Sequence, residues 1–333
     1  MLPTKNAFAG RKWALLAVIL TTLTVSFTAC KKDDDATLPL STIGELINTG
    51  SKFTLLKAAL VRTGLDGALA QPGTYTVFAP TDDAFKAFGY VDAAAINAAP
   101  VDLLKTVLQY HVLSARISAS DIPVAINTSQ QTLAGLPLYV SKVSSASTTS
   151  ATSATVSING AHILQADGIA SNGVVYAIDR VLLPPVFGNI VATIQSIPLL
   201  LPTASFKLLQ AAVAKAGIGA SLTAVGPLTV FAPTDAAFKA VGIDSVAIAK
   251  TPVATLTSIL SYHVLNSRTY TPLITSGASL STLQGGTITA GSSTTALTVT
   301  GKRNSGTASN IVGPDITATN GVVHIIDRLL LPQ

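Results

Sequence analysis

The chain has 333 residues, 48% of them hydrophobic and only 11% charged, with a formal net charge of +5. This is too apolar and too lightly charged for a disordered chain or a nucleic-acid binder. Without Lys5, Arg11 and Lys12, which are expected to leave with a targeting segment, 18 basic residues face 16 acidic ones, a balance that argues against a polyanion partner.

Lys5, Arg11 and Lys12 form a basic region, Trp13 to Phe27 an apolar stretch of about 15 residues, and Thr28-Ala29 a pair of small residues. That order is a secretory signal, expected over 1–29, and its apolar part is short of the ~20 residues a transmembrane helix needs. Cys30 is the single cysteine of the chain, so a disulfide framework is excluded. A lone Cys in that place resembles the lipobox of bacterial lipoproteins, with Phe27 where Leu is usual, and the resemblance implies lipidation of Cys30. Lys31-Lys32-Asp33-Asp34-Asp35 opens a polar tether over 30–39, and it resembles the acidic signal that sends some lipoproteins to the outer face of a Gram-negative cell.

Thr42 and Glu45 have the spacing of a capping box, which predicts a first helix. A second is predicted after Ser51, with Phe53, Leu56 and Leu60 on one face. Thr76-Val77-Phe78-Ala79-Pro80-Thr81-Asp82 reads as a short strand, a proline stop and a helix cap supplied by Thr81 or Asp82. The same seven letters return as Thr229 to Asp235, 153 residues later. Pro100 suits the first turn of another helix, and Thr251-Pro252 repeats it with Thr251 as the cap. Leu104, Val107, Leu108 and His111 share a face, as do Leu256, Ile259, Leu260 and His263, so both histidines are expected to be buried.

Tyr110-His111-Val112-Leu113 recurs as Tyr262 to Leu265, and Asn172-Gly173-Val174-Val175 as Asn320 to Val323. After each Tyr-His the texture turns to strands. Ser141 to Ser157 and Gly291 to Asn310 are rich in Ser, Thr and Ala and are expected to be long exposed hairpin loops with their flanks. The second loop carries Lys302 and Arg303 at its tip. Asn172-Gly173 and Asn320-Gly321 are tight-turn signals through positive φ. Each opens a final strand, expected over 174–183 and 322–331. Three blocks repeated in order define a tandem duplication, with modules at 40–185 and 186–333 joined by the short Pro184-Pro185 linker, which restricts their relative orientation.

These blocks resemble the fasciclin domain. Thr76 to Phe85 and Thr229 to Phe238 match its first motif, Tyr110-His111 and Tyr262-His263 its central pair. Asn320 to Pro332 and Asn172 to Pro184 match its last motif, with Tyr176 where histidine is usual. The resemblance implies an α+β fold: two tandem fasciclin-like domains, each a β-sandwich-like wedge of two sheets packed with several helices. It implies adhesion rather than catalysis, with an extracellular protein, a polysaccharide or a second copy as partner. It also nominates Tyr110, His111, Tyr262 and His263 for binding.

Thr81, Asp82, Thr234, Asp235, Asp179 and Asp327 are read as structural, the last two through hydrogen bonds to backbone or to the neighbouring arginine. No His-x-x-x-His pair, Gly-x-Ser-x-Gly elbow or phosphate loop is present in the sequence. The expectation is therefore no enzyme, no metal and no cofactor. The sequence predicts a lipid-anchored surface protein that mediates cell-cell, matrix or biofilm contacts. The alternative is a periplasm-facing lipoprotein that binds a glycan or small ligand.

Overall fold

The computed structural model describes residues 40–144, 154–201, 204–294 and 296–333. In the first copy α1 (Ile43–Thr49) opens on the expected capping box: Thr42 Oγ1 accepts the Glu45 amide while Glu45 accepts the Thr42 amide. Then come α2 (Thr54–Thr63), β1 (Tyr75–Pro80), α3 (Asp82–Ala87), α4 (Ala93–Ala98), α5 (Val101–Tyr110) and β2 (Val112–Leu113). Strands follow: β3 (Thr128–Gln131), β4 (Pro137–Ser144), β5 (Ala154–Ile158), β6 (Ala161–Ala170) and β7 (Gly173–Ile178).

β1 lies between β2, antiparallel, and β7, parallel, with Val77 opposite Val175. Val77 and Ala79 face the helices, in a core with Leu56, Leu60, Phe85, Leu104 and Leu108. Phe78 faces the other way, into a second core with Tyr110, Val140, Ile158 and Tyr176. The alternation is the period of a strand. With both faces covered, the strand is apolar from Val77 to Pro80, and the buried hydroxyl of Thr76 donates to Ala115 O. Each buried Val, Leu, Ile or Phe among them contributes about 1.5–3 kcal/mol.

The second copy repeats the plan with α6 (Ile190–Leu200), α7 (Lys207–Ala216), α8 (Gly219–Thr223), β8 (Leu228–Pro233), α9 (Asp235–Lys239), α10 (Ser245–Lys250), α11 (Val253–Tyr262) and β9 (Val264–Leu265). It closes with β10 (Ser279–Ser281), β11 (Thr287–Ser292), β12 (Leu297–Thr300), β13 (Ser309–Asn310), β14 (Ile316–Ala318) and β15 (Gly321–Ile326). Val230 and Ala232 join the helical core, and Phe231 the opposite one.

Among the described residues the first copy has one sheet, ordered β2-β1-β7-β6-β5-β4-β3, and the second has two, β10-β11-β12-β13 and β14-β15-β8-β9. The difference lies in one strand. β6 pairs with both β5 and β7, crossing from one to the other through register shifts around Gln165. In the second copy Gly313-Pro314 lies between β13 and β14, and proline cannot donate to a ladder.

Several local expectations are corrected. Thr251 does not cap α11; it closes α10, donating to Ala247 O at 2.8 Å, and Pro252 holds the N-cap position without a side-chain bond. Pro100 likewise stands one residue before its helix. The final strands stop at Ile178 and Ile326, short of 183 and 331. The flanks of the first Ser/Thr-rich stretch are strands β4 and β5, while its middle lies outside the described residues. Lys302 and Arg303 sit in turns between β12 and β13 rather than at the tip of a single hairpin.

The Asn-Gly pairs serve a purpose other than positive φ at asparagine. Asn172 Oδ1 accepts the Ile43 amide, and its Nδ2 donates to Leu69 O and Gln71 O. Asn320 repeats this with Ile190, Leu222 and Ala224. A Cβ on the following glycine would lie 2.1 Å from Tyr75 O in the first copy and 2.1 Å from Leu228 O in the second. Glycine is required there by close approach.

Candidate functional site

The repeated block builds a corner whose two polar residues cap different helices. Thr81 Oγ1 accepts the Ala84 amide at 3.3 Å, and Thr234 Oγ1 accepts Ala237 at the same distance. Asp82 serves a helix earlier in the chain: Oδ1 accepts the Leu55 amide at 2.8 Å and Oδ2 the Thr54 hydroxyl at 2.7 Å. Asp235 does the same for α7, through the Leu208 amide at 2.8 Å and the Ser205 hydroxyl at 2.5 Å. One carboxylate thus ties β1 and α3 to the start of α2. Asp179 Oδ1 accepts the His162 amide, with Arg180 Nε 3.9 Å from Oδ2, and Asp327 accepts from Asn310 and Ser309.

The Tyr-His residues are interior. Tyr110 and His111 are 0% and 2% exposed, Tyr262 and His263 1% and 2%. His111 Nδ1 donates to Val107 O at 2.7 Å and Nε2 accepts the Leu182 amide at 2.9 Å, which fixes the neutral ring. His263 repeats this with Ile259 O and the Leu330 amide. Burial lowers both histidines to about 4, against the weaker upward pull of the carbonyl bond.

Tyr110 leads to the junction of the copies. Its hydroxyl donates to Pro137 O and accepts from Asn159 Nδ2, and Asn159 Oδ1 accepts from Tyr270 of the second copy at 3.3 Å. Burial raises both phenols, Tyr270 to about 12. Beside them the turn at Gly160 runs so close to Asp315 that a Cβ there would meet the carboxylate.

Asp315 is fully buried, its Oδ2 accepting from the Thr271 amide and hydroxyl, both at 2.9 Å. Its Oδ1 stands 3.0 Å from His324 Nδ1 and 3.8 Å from Arg180 Nη1 of the first copy. Burial alone would raise this carboxyl; the neighbouring His324 side chain, the Arg180 guanidinium and the Thr271 amide hold it below the usual range. His324 Nε2 donates to Thr269 O at 2.8 Å. Tyr176, at the matching place in the first copy, donates to Ile117 O at 2.8 Å, so the departure from histidine keeps the carbonyl partner.

Arg268 lies over the Tyr139 ring of the first copy, 4.2 Å from its centroid, and is only 8% exposed. It donates to Gly321 O at 2.7 Å and more weakly to Ala318 O and Thr319 O. Arg116, the matching residue of the first copy, is exposed. Arg268 lines a groove of about 1150 Å³ between the copies. Arg268, Tyr139, Asn159, Tyr270 and Asp315 were not singled out by the sequence, and Arg180 only as a neighbour of Asp179. The one available signal was Arg116 and Arg268 standing at the same distance past the repeated Tyr-His pair.

Among the described residues no group of three His, Cys, Asp or Glu could hold a metal ion, and no helix is long and apolar enough to cross a membrane. Cys30 lies outside the described residues.

The chain belongs to the fasciclin-domain family: the family model, Fasciclin domain, matches residues 51–184 and 204–332, well over half of the chain. It is similar to the transforming growth factor-beta-induced protein ig-h3 of Sus scrofa, 30% identical over 309 residues that cover 91% of this chain and 41% of that protein. The chain thus spans less than half the length of that relative. Protein sll1483 of Synechocystis is 36% identical over 152 residues, covering 45% of this chain and 77% of its own. A solved FAS1 domain pair from the insect cell adhesion molecule fasciclin I aligns with a TM-score of 0.40 and 19% identity, covering 86% of this chain and 94% of that one.

Proposed function

We propose that this is a non-catalytic surface protein, exported by residues 1–29 and lipid-anchored at Cys30, whose modules at 40–185 and 186–333 mediate cell-cell, matrix or biofilm contacts. Residues 30–39 act as the tether, and the outer face of a Gram-negative cell is the expected location. The observation that carries the reading is the joint between the copies. Tyr270–Asn159 and Arg180–Asp315 link them through polar groups, of which only Arg180 is part-exposed, so the tandem presents one surface to a partner. Membership of the fasciclin family supports it. The four Tyr-His residues are structural in this reading, because a partner could reach them only by opening both cores.

The test compares cells that display the full chain with cells that lack it, scored for attachment to one another and to a matrix-coated surface. Attachment that rises with display supports the proposal, and equal attachment refutes it.

A further inference from the structure

The duplication supplies its own control for one part of the surface. Ile43 and Ile190 open the first helix of each copy, and α6 runs for 11 residues where α1 has 7. The longer helix places Leu201 against the second copy's sheet. Its side chain and that of Ile325 close over Gly313, both within 4.0 Å of where a Cβ there would lie. Ile316 and Ile325, 1% and 2% exposed, complete the filling. At the matching places the first copy has Gly168 and Ala177. Gly50-Ser51-Lys52 leads straight from α1 to α2 there, with no counterpart of Leu201.

The space that the second copy fills is left open in the first as a recess of about 240 Å³. Gly168, Val175 and Ala177 line it from the strands, and Leu46 and Phe53 from the helical side. It is smaller than the ~300–1000 Å³ of small-ligand pockets, so it suits one large aliphatic side chain of a protein better than a free ligand.

We propose that this recess takes Leu199 of a second copy of the chain, in a head-to-tail contact. Two observations choose the occupant. The side chain that fills the matching space in the second copy is a leucine at the end of α6, and Leu199 stands two residues before it with 79% of its surface exposed. Charge also fits. The C-terminal end of a helix carries partial negative charge, and α6 has no basic residue in its last turn. Lys52 is exposed at the edge of the recess and, among the described residues, has no ion pair. Lys52 of one chain therefore meets the end of α6 of the next. Knob and recess lie on different copies, so the contact extends from chain to chain, as a ring or an open run, instead of closing as a two-fold dimer.

The inference rests on the binding reading above and names a partner. It is tested in solution, where adhesion plays no part, so either idea can fail alone. The mature chain, expressed from residue 30 with Cys30→Ser, is followed by sedimentation velocity over a range of concentrations. A concentration-dependent series of dimer, trimer and larger species is the expected result. Leu199→Ser, at an exposed position, should weaken association about tenfold or more, the factor that a buried leucine carries. Ala177→Ile fills the recess with the residue that the second copy uses, and Ser51→Trp blocks it from the exposed edge without touching the core. Each should weaken association as much. Lys52→Glu should weaken it about two- to fivefold. The decisive sample mixes Leu199→Ser with either recess variant. One chain keeps its recess and the other its leucine, so the mixture should form a one-to-one dimer and nothing larger, at a concentration where each alone is monomeric. A wild-type chain that stays monomeric overturns the proposal and leaves the recess to another protein. Oligomers that survive Leu199→Ser or both recess substitutions, or a mixture that forms no dimer, overturn it too.

Discussion

The two buried histidines make the stability of this protein depend on pH in a window where carboxylates do not. Burial lowers His111 and His263 to about 4 from an ordinary 6.5. The unfolded chain therefore takes up protons that the folded chain refuses. The contribution of each ring is complete above pH 6.5 and is lost as pH falls from there towards 4. At pH 5 the loss is about 2 kcal/mol per histidine, from the difference in protonation between the two states. If the copies unfold in one transition, the pair costs about 4 kcal/mol between pH 7 and pH 5, a large share of a typical folding stability. Asp315 is held below the ordinary carboxylate range and so adds to the loss only at lower pH. The assay is urea unfolding followed by circular dichroism at pH 7, 6 and 5. The His111→Gln/His263→Gln chain, less stable at pH 7, should show a much flatter pH dependence. A wild-type stability that does not fall by pH 5, or a double variant with the same slope, refutes the burial argument.

Other outcomes follow from the same geometry. Asp82→Ala removes the acceptor for the Leu55 amide and should cost about 1–2 kcal/mol, the range of an N-cap, with Asp235→Ala giving a similar loss in the second copy. Both read out in urea midpoints. Arg180→Ala leaves the buried Asp315 carboxylate without its cation from the first copy, so it should lower the melting temperature and speed proteolysis at the junction. Gly160→Val places a side chain against the Asp315 carboxylate and should separate the copies, raising the radius of gyration measured by X-ray scattering.

The elements of this fold were legible where their causes are local. The capping box at Thr42, the apolar faces of α2 and α5 and the repeated strand-to-helix corner each need only a few neighbouring residues to specify them. What escaped has causes far along the chain. Asp82 looks like a cap for α3, which it adjoins, yet its carboxylate serves α2, placed there by tertiary packing. Asn172 looks like a turn residue because it precedes glycine, yet it binds Ile43, 129 residues away. The junction was least legible of all. Arg116 and Arg268 are the same letter in the same repeat, yet one is exposed and the other is buried between carbonyls of its own copy and Tyr139 of the other. Periodicity and capping rules describe one element at a time, and a duplicated sequence gives no sign of which copy's surface becomes interior.

The central claim is that the protein works as an anchored surface adhesin. Its most direct test compares cells displaying the full chain with cells displaying Cys30→Ser, measuring adhesion together with the accessibility of the chain to external protease. The account predicts that the anchored protein is cut from outside and that adhesion falls when the anchor is removed. A chain shielded from protease, with adhesion unchanged by the substitution, would contradict it and leave a periplasm-facing ligand binder in its place.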